Sequence, residues 1–276
     1  MKRTLLPCLL LLFFAFTAFG QTRVCTYNIR NSHAADGVNK WPKRKAALFA
    51  LIKKVSPDIL GTQEVLLNQL KDLKGALKEY EVFGVGRNDG KHSGEHSPVF
   101  YRKDKFEFLR GGNFWLSQTP AIPGSKSWDA AITRICSWVE LKERASGKTL
   151  FVFNTHFDHK GKEARRKSAA LLRQTIDSLA VGAPVIVTGD FNFTPDDAAY
   201  AIMTTPGAYN TTLNDSYTTG SPNFTDCGFE VSNTNCHRID YIFFSQPFNK
   251  SNYTLYTDNN GSYYPSDHLT ISIDLK

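Results

Sequence analysis

Several apolar, strand-like runs of the sequence end on acidic, amide or imidazole side chains that a buried strand has no structural need for. These side chains are Asn28 after RVCTY, Glu64 after ILGTQ, His156 after FVFNT, and Asp190 and Asn192 in VIVTGDFN. In layered α/β folds, ligand chemistry gathers at the carboxyl ends of strands, where rigid backbone holds side chains over a shared crevice. The pattern therefore predicts one site assembled from several strand ends.

Glu64 indicates a cation site within that crevice. A carboxylate placed directly after an apolar strand is costly to bury unless it is paired or coordinates a cation. Mg²⁺ is typically held by one or two carboxylates together with water and substrate phosphate, so a few acids from separate strands suffice. Taken alone, Glu64 fits a solvent-facing loop acid equally well.

The stretch TGDFNFTP places Asp190 and Asn192 two positions apart, and alternation on an extended strand points such residues to the same side. A carboxylate can orient or deprotonate water, while a neutral amide can donate to a phosphate oxygen or to the attacking water. In isolation, the same stretch fits a turn in which Asp190 caps the helix after Pro195.

Two histidines have an acid that could hold them. A histidine that acts as acid, base or phosphate contact needs its tautomer fixed, commonly by a carboxylate on the far ring nitrogen. Asp240 could do this for His268, which leaves Asp267 free for a metal. Glu95, in GEHSPVFYR, could do the same for His156.

Strand-like runs rich in β-branched and aromatic residues recur throughout the chain. They cover 23–28, 57–64, 97–102, 106–109, 136–141, 149–157, 183–191, 239–245 and 269–275. Helical periodicity appears at 43–55, 66–80, 161–180 and, more weakly, 196–204. About nine strands with several helices predict a layered α/β or α+β domain. Residues 207–236 are polar and predict an exposed, loop-rich excursion.

The first twenty residues have the features of a secretory signal. Lys2 and Arg3 precede an apolar run, and Ala18 and Gly20 suit a signal peptidase. The run is short for a membrane anchor, which needs roughly 20 apolar residues. We predict a signal peptide over residues 1–20 and a secreted or periplasmic mature chain. Residues 21–276 are predicted to form a single domain, because no linker or repeat divides them.

Charge and cysteine content add weaker constraints. Without the two basic residues of the signal, the 33 basic residues become 31 against 26 acidic ones, a net charge of +5 that favours anionic partners only weakly. An exported chain can form disulfides, and Cys227 and Cys236 lie close enough for a local bridge. Cys25 and Cys136 lie in apolar runs, which favours small buried side chains.

Seven ordered motifs resemble the endonuclease/exonuclease/phosphatase superfamily of metal-dependent phosphoesterases. The motifs are TYNIR, LGTQEV, GEHSPVFYR, NTHFDH, GDFN, RIDYIF and SDH, and they span nearly the whole mature chain, from Thr26 to His268. The resemblance implies a four-layer α/β sandwich of two packed, mainly antiparallel β-sheets flanked by helices. It also implies hydrolysis of a phosphoester with Mg²⁺ or Mn²⁺ as cofactor.

Carried over by motif, the resemblance implies that Glu64 is the principal metal ligand, with Asn28 and Asp267 nearby or also ligating. A cation reconciles these acids with an anionic substrate, since attack on phosphorus accumulates negative charge on oxygen.

The remaining motif residues then have roles around the phosphate. Asp190 would activate the water with help from Asn192. His268, held by Asp240, and His156, supported by Glu95, would contact the phosphate; these residues form the predicted catalytic set.

A resemblance to an exported subgroup of the same family rests on GGNFWLSQTP and GSKSWDAAITRICSW. Trp115, Trp128 and Arg134 lie in these segments and could border the substrate cleft. Core packing for Trp115 and a satisfied structural role for Arg134 are the alternatives. The stretch SPNFTDCGFE departs from a Gly-Thr-Phe-like stretch of the subgroup, in a loop that could shape substrate choice.

The sequence leaves three functions open. The first is a secreted phosphodiesterase, including a nuclease, for which the basic stretch KGKEARRK at 160–167 is a weak indication. The second is the same chemistry on a lipid headgroup, sugar phosphate or inositol phosphate, with the membrane-lipid version weakened by the lack of an amphipathic membrane helix. The third is a non-catalytic binding protein, which is disfavoured because every motif residue is present. None of the three implies an obligate protein partner.

Overall fold

The computed structural model describes residues 19–276, so the predicted signal peptide lies almost wholly outside the described residues. Within this range, no helix is long and apolar enough to cross a membrane. The strands are β1 Thr22–Asn28, β2 Ile59–Gln63, β3 Tyr80–Phe83, β4 Val99–Arg102, β5 Phe106–Trp115, β6 Ile135–Glu143, β7 Thr149–His156, β8 Val185–Asp190, β9 Asn214–Asp215, β10 Asp240–Phe244, β11 Lys250–Leu255 and β12 Ile271–Leu275. The α-helices are α1 Trp41–Val55, α2 Leu67–Ala76, α3 Lys162–Leu179 and α4 Ala198–Thr204.

The strands form two six-stranded sheets, and helices cover their outer faces. The first sheet has the order β11-β12-β1-β2-β4-β3 and the second has the order β5-β6-β7-β8-β10-β9. One neighbouring pair in each sheet is parallel, β1 with β2 and β7 with β8, and the other pairs are antiparallel. The predicted four-layer sandwich is therefore confirmed.

Three apolar layers hold the sandwich together. The layer between the sheets includes Val24 and Ile59 from the first sheet and Val152 and Ile242 from the second. A second layer packs α1 and α2 on the first sheet, and a third packs α3 and α4 on the second. Because both faces of the central strands are covered, these strands are apolar almost throughout, which made them visible in the sequence.

The structure extends or adds strands that the sequence pattern did not predict. The helix predicted over 66–80 ends at Ala76, and Tyr80 begins β3. The strand predicted over 106–109 continues to Trp115, because Gly111 and Gly112 let β5 pass close to β6. A Cβ atom on Gly112 would lie 2.8 Å from Trp138 Nε1, so the indole ring requires a glycine there.

The excursion over 207–236 is loop-rich, as predicted, but it is only partly exposed, and a disulfide fixes its last part. Cys227 and Cys236 are bonded, while Cys25 and Cys136 are free and buried. The Cys227 backbone N–H donates to the Asp267 carbonyl at 3.2 Å, and Leu269 N–H donates to Thr225 O at 2.6 Å. The disulfide-bonded loop thus packs directly beneath the segment that carries His268.

Candidate active site

The predicted site residues meet at one edge of the sandwich. In the first sheet, Asn28 pairs in register with Gln63, so β1 and the residue after β2 end side by side. In the second sheet, His156 pairs with Asp190, and Asp190 pairs with Asp240 at the start of the antiparallel β10. The parallel pair in each sheet brings two carboxyl ends to this edge, as the strand-end pattern predicted.

Asp190 lies at the centre of the cluster and is almost fully buried. Its Oδ2 accepts a hydrogen bond from Asn28 Nδ2 at 2.9 Å and lies 3.3 Å from His156 Nε2 and 3.8 Å from His268 Nε2. Burial, followed by the negative charge of Asp240, raises the pKa of Asp190 to about 7. A carboxyl group with a pKa near neutrality is suited to exchange a proton with water.

His268 and Asp240 form the predicted pair. His268 Nδ1 lies 2.8 Å from Asp240 Oδ2, and both side chains are buried. Burial opposes the charged imidazole, but the charge and hydrogen bond of Asp240 outweigh it and raise the pKa of His268 well above its ordinary value. His268 is therefore a cation that directs Nε2 at Asp190.

His156 has the opposite surroundings. Its Nδ1 is buried and has no hydrogen-bond partner among residues 19–276. Burial, reinforced by the positive charges of Arg134 and Arg87, lowers the pKa of His156 well below its ordinary value. His156 is therefore a neutral imidazole.

The predicted pairing of Glu95 with His156 is wrong. Glu95 Oε2 accepts from Arg87 Nη1 at 2.5 Å, and its Oε1 lies 3.4 Å from Asn31 Nδ2. Arg87 and Glu95 also pair through their backbones, since Arg87 N–H donates to Glu95 O at 3.0 Å. This local contact turns Glu95 towards Arg87, away from the histidine.

Glu64 is held as an ionised carboxylate in a strained backbone conformation. Its φ of 61° lies in the left-handed region, which is costly for a residue with a side chain and is typical of functional positions. Its Oε2 accepts from Asn31 N and Asn31 Nδ2, both at 2.9 Å, and its Oε1 accepts from Asn28 Nδ2 at 3.1 Å. Burial opposes ionisation, but the Asn31 hydrogen bond and the charge of His268 outweigh it and lower the pKa of Glu64.

Asn28 bridges Glu64 and Asp190 instead of presenting an oxygen ligand. Its Nδ2 donates to both carboxylates, and its Oδ1 accepts from the Arg30 backbone N–H at 3.0 Å. An amide nitrogen does not ligate a hard cation, so the predicted ligand role of Asn28 is not supported by this orientation. Asn28 fixes the spacing between the two acids.

The donor set suits a hard divalent cation. The pKa of Asp267 is raised by burial and by the negative charge of Glu64, although the charge of His268 opposes this. A cation would relieve the repulsion between these two carboxylates. Asp190, Asp240 and His268 also have ligand atoms within 4.8 Å of one another, but His268 Nδ1 and Asp240 Oδ2 are joined by their own hydrogen bond at 2.8 Å. Glu64 and Asp267 are therefore the better ligands.

Asn192 approaches Asp190 through a turn and not through strand alternation. Strand β8 ends at Asp190, and Asn192 has a left-handed φ of 51°. Asn192 N–H donates to Asp190 Oδ1 at 3.0 Å, and its Nδ2 donates to Phe157 O at 3.1 Å. Asp190 does not cap the next helix, because Asp197 caps α4. The turn itself brings the acid and the amide together.

The three residues predicted to border the cleft differ in their surroundings. Trp115 is 4% exposed and donates from Nε1 to Arg87 O, so it packs beneath the Arg87 loop instead of facing a ligand. Trp128 is half-buried with a left-handed φ of 57°. Arg134 is buried; its Nη2 lies 3.1 Å from His159 Nδ1 and its Nε lies 3.7 Å from Asp158 Oδ2, while Nε and Nη1 have no hydrogen-bond partner among the described residues.

Arg87 and Asn31 belong to this edge, although the sequence pattern did not select them. Asn31 holds Glu64, and Arg87 holds Glu95. Both follow strands at a distance of a few residues, in loops whose folding depends on long-range contacts. Their signal in the sequence was limited to their nearness to TYNIR and GEHSP.

The two-sheet sandwich and the cluster of acids, amides and imidazoles at one edge match the fold and site that the sequence motifs imply. The sequence matches the model of the Endonuclease/Exonuclease/phosphatase family over residues 25–268, which is most of the chain. The chain therefore belongs to this family, and the resemblance drawn from its motifs is confirmed.

Known proteins support the same assignment. A Bacteroides vulgatus endonuclease/exonuclease/phosphatase is 38% identical with a TM-score of 0.87, covering 94% of this chain and 99% of that one. A Bacteroides thetaiotaomicron mannosyl-6-phosphatase is 38% identical with a TM-score of 0.82, covering 92% and 99%. Human nocturnin is 27% identical over 265 residues, covering 85% of this chain. The chain spans about three fifths of the length of the curated relatives it matches.

Proposed function

We propose that this chain is a divalent-metal-dependent hydrolase that cleaves a phosphoester with a water activated by Asp190. The observation that carries the proposal is the position of Asp190. It is a buried carboxyl with a pKa near neutrality, between a charged and a neutral imidazole and one amide away from Glu64. General base, charge stabilisation and cation binding thus meet within one cluster.

Each residue has a role that follows from its protonation. Asp190, when ionised, takes a proton from the attacking water. Asn192 holds the turn that positions the Asp190 carboxylate. The water oxygen bonds to phosphorus, the bond to the leaving oxygen breaks, and that oxygen takes a proton from solvent. His268, charged and held by Asp240, donates from Nε2 to a phosphoryl oxygen and stabilises its developing charge.

Glu64 and Asp267 would hold Mg²⁺ or Mn²⁺, which supplies Lewis acidity to a phosphoryl oxygen when bound. Asn28 and Asn31 keep Glu64 ionised and oriented for that purpose. The conformational strain at Glu64 is consistent with a position retained for its chemistry.

Among substrate classes, a small phosphoester such as a sugar phosphate is favoured over nucleic acid. In the basic stretch that opens α3, two cations are engaged within the protein, since Arg165 pairs with Asp197 at 3.2 Å and Arg166 pairs with Glu163 at 2.8 Å. A nucleic-acid footprint needs cations free to meet phosphates. The 38% identity to a mannosyl-6-phosphatase supports the same class.

Export to an oxidising compartment is part of the proposal. The Cys227–Cys236 disulfide supports it, because such bonds persist mainly outside the cytosol. Mass spectrometry of the mature chain tests this, and we expect an N-terminus at Gln21.

The central experiment is a substrate panel with purified residues 21–276, containing DNA, RNA, sphingomyelin, inositol phosphates and hexose 6-phosphates. We expect hydrolysis of a small phosphoester that needs Mg²⁺ or Mn²⁺ and stops with EDTA. Glu64→Gln should raise the metal concentration needed for half-maximal activity. If no phosphoester is hydrolysed with either metal, the chain is a binding protein and the proposal is wrong.

A further inference from the structure

A groove of about 480 Å³ lies between helix α1 and residues 258–265, the loop that leads into the catalytic segment. We call it the α1 groove. Its volume is within the range of small-molecule sites, which is about 300–1,000 Å³. None of the side chains assigned to the catalytic cluster or to the metal lines it, so the α1 groove is a feature of its own.

Most of the charges that line the α1 groove are already engaged within the protein. Arg44 is buried, and its guanidinium donates to four backbone carbonyl oxygens at 2.7 to 3.1 Å. Lys54 Nζ lies 2.5 Å from Asp258 Oδ1. Lys43 has no acidic partner among residues 19–276, but it is exposed to solvent. The α1 groove therefore favours an uncharged ligand over a phosphate or another anion.

Neutral polar groups in the α1 groove are left without partners. The hydroxyls of Tyr263 and Tyr264, the side-chain amide of Asn39 and Nδ2 of Asn260 have no hydrogen-bond partner within residues 19–276. Tyrosine hydroxyls and amides together donate and accept hydrogen bonds. A ligand that carries several hydroxyl groups, each of which also donates and accepts, matches this set.

The remaining surface of the α1 groove is apolar and aromatic. Val38 is 67% exposed, and Ala47 and Leu51 line the helix side. The half-buried rings of Tyr263 and Tyr264 line the loop side. Tyrosine offers a large, rigid, amphipathic contact at low entropic cost. A sugar ring has the complementary shape, because its C–H face is apolar and its rim carries hydroxyls.

Hydrogen bonds hold the loop side of the α1 groove in place. Tyr264 N–H donates to Phe229 O at 2.8 Å, and Val231 N–H donates to Ser262 O at 3.0 Å. Both acceptor and donor on the far side belong to the segment that the Cys227–Cys236 disulfide closes. At the other end, Arg44 Nη1 donates to Pro265 O at 3.1 Å. A preformed groove spends little free energy on ordering its own residues when a ligand binds.

We propose that the α1 groove is a second ligand site of this protein, and that it binds the rings of a neutral carbohydrate. Tyr263 and Tyr264 supply the aromatic surface, while Asn39 and Asn260 supply hydrogen bonds to hydroxyl groups. The site is separate from the hydrolase chemistry, and its binding does not depend on a phosphoester.

Amide NMR spectra test the proposal with defined sugars. We would titrate purified residues 21–276, with Mg²⁺ present, with D-glucose, D-mannose, N-acetyl-D-glucosamine, maltose and cellobiose. These sugars carry no phosphoester, so hydrolysis does not interfere. At least one should shift the amide signals of α1 and of residues 258–265, and the titration gives its Kd. Inorganic phosphate should leave these signals unchanged.

Matched variants show whether the shifts report the α1 groove. Tyr263→Ala removes a ring and should raise the Kd at least about fivefold, whereas Tyr263→Phe keeps the ring and should raise it less. Ala47→Phe fills the α1 groove from an exposed helix position and should also weaken binding. Tyr209→Ala is the control, because Tyr209 is a half-buried tyrosine over Arg173 of α3, with the guanidinium 4.8 Å from its ring centroid. It should leave the Kd unchanged.

Three results would overturn the proposal. The first is the absence of shifts with all five sugars at about 20 mM, a concentration that reveals a Kd of a few millimolar. The second is a set of shifts confined to the catalytic segment around Asp190 and His268. The third is an unchanged Kd in both Tyr263→Ala and Ala47→Phe; if one of them fails to fold, judged by circular dichroism, the other decides. A failure of the hydrolase proposal, seen as absent turnover, leaves these measurements unaffected.

Discussion

The two histidines of the site face the same acid from opposite surroundings. His268 has a carboxylate, Asp240, on its far nitrogen, whereas His156 Nδ1 has no hydrogen-bond partner within residues 19–276 and lies near Arg134. One imidazole is consequently charged and the other neutral, although both end up beside Asp190. The strand end determines where each histidine lies, whereas the neighbouring charges determine whether its imidazole is protonated.

Replacement of Asp190, the acid that both histidines face, should have the largest effect on activity. Asp190→Asn keeps the shape and the Asn28 contact region but cannot accept the proton of the attacking water. We expect kcat to fall by about 10³-fold or more, with little change in the melting temperature. Steady-state kinetics with the preferred substrate and thermal denaturation check this. Near-normal turnover would remove Asp190 from the mechanism.

The charged histidine, His268, should respond to the loss of the Asp240 carboxylate. Asp240→Asn removes the charge that raises the pKa of His268, so the imidazole should become neutral at a lower pH and kcat should fall by about 10²-fold. NMR titration of the His268 ring in metal-free protein measures the pKa directly. The matched variant Glu95→Gln should leave the His156 ring in its neutral form, because Glu95 contacts Arg87 and not His156. If Asp240→Asn left the pKa of the His268 ring unchanged, or if Glu95→Gln charged the His156 ring, the proposed difference between the two histidines would be wrong.

The sequence predicted the centre of the fold better than its edges. All nine predicted strands are present, and β3, β9 and β11, which were not predicted, are edge strands. Strand β5, predicted at less than half its length, is the fourth edge. Edge strands are open on one side and tolerate polar residues, so β11 is largely exposed and lacks an apolar run. Central strands are buried on both faces, so their residues are apolar almost throughout, and these apolar runs could be recognised in the sequence.

The site residues also divide into those that the sequence predicted and those that it did not. Residues at the ends of central strands, such as Asp190 and His156, were predicted, because the strand itself marks their position. The pair formed by Asp240 and His268 was also predicted correctly. The contact of Glu95 with Arg87 was not, because a local hairpin competes with the predicted partner in a way that motif spacing does not encode. Side-chain partners in loops depend on tertiary packing.

The disulfide lies on the His268 side only, so its removal should affect the two sides unequally. The Cys227→Ser, Cys236→Ser double variant frees the loop that bonds to Asp267 O and Leu269 N–H. We expect a loss of about 2–3 kcal/mol in the free energy of unfolding and a several-fold fall in kcat. Denaturant unfolding and kinetics with and without dithiothreitol measure both effects. Wild type under reducing conditions should resemble the variant, and the His156 ring shifts should stay unchanged.

The smallest expected effect concerns acid stability on the His156 side. Four backbone donors stabilise the Asp158 carboxylate and lower its pKa to about 2, although burial opposes this. A folded-state pKa below the unfolded value of about 3.9 means that the stabilisation is present above pH 4 and is lost as the pH falls towards 2. Asp158→Asn should therefore reduce stability by about 1–2 kcal/mol at pH 7, with the difference from wild type shrinking below pH 4. Urea unfolding at pH 7, 5 and 3 measures this, and a difference independent of pH would mean that packing, not charge, is the contribution of Asp158.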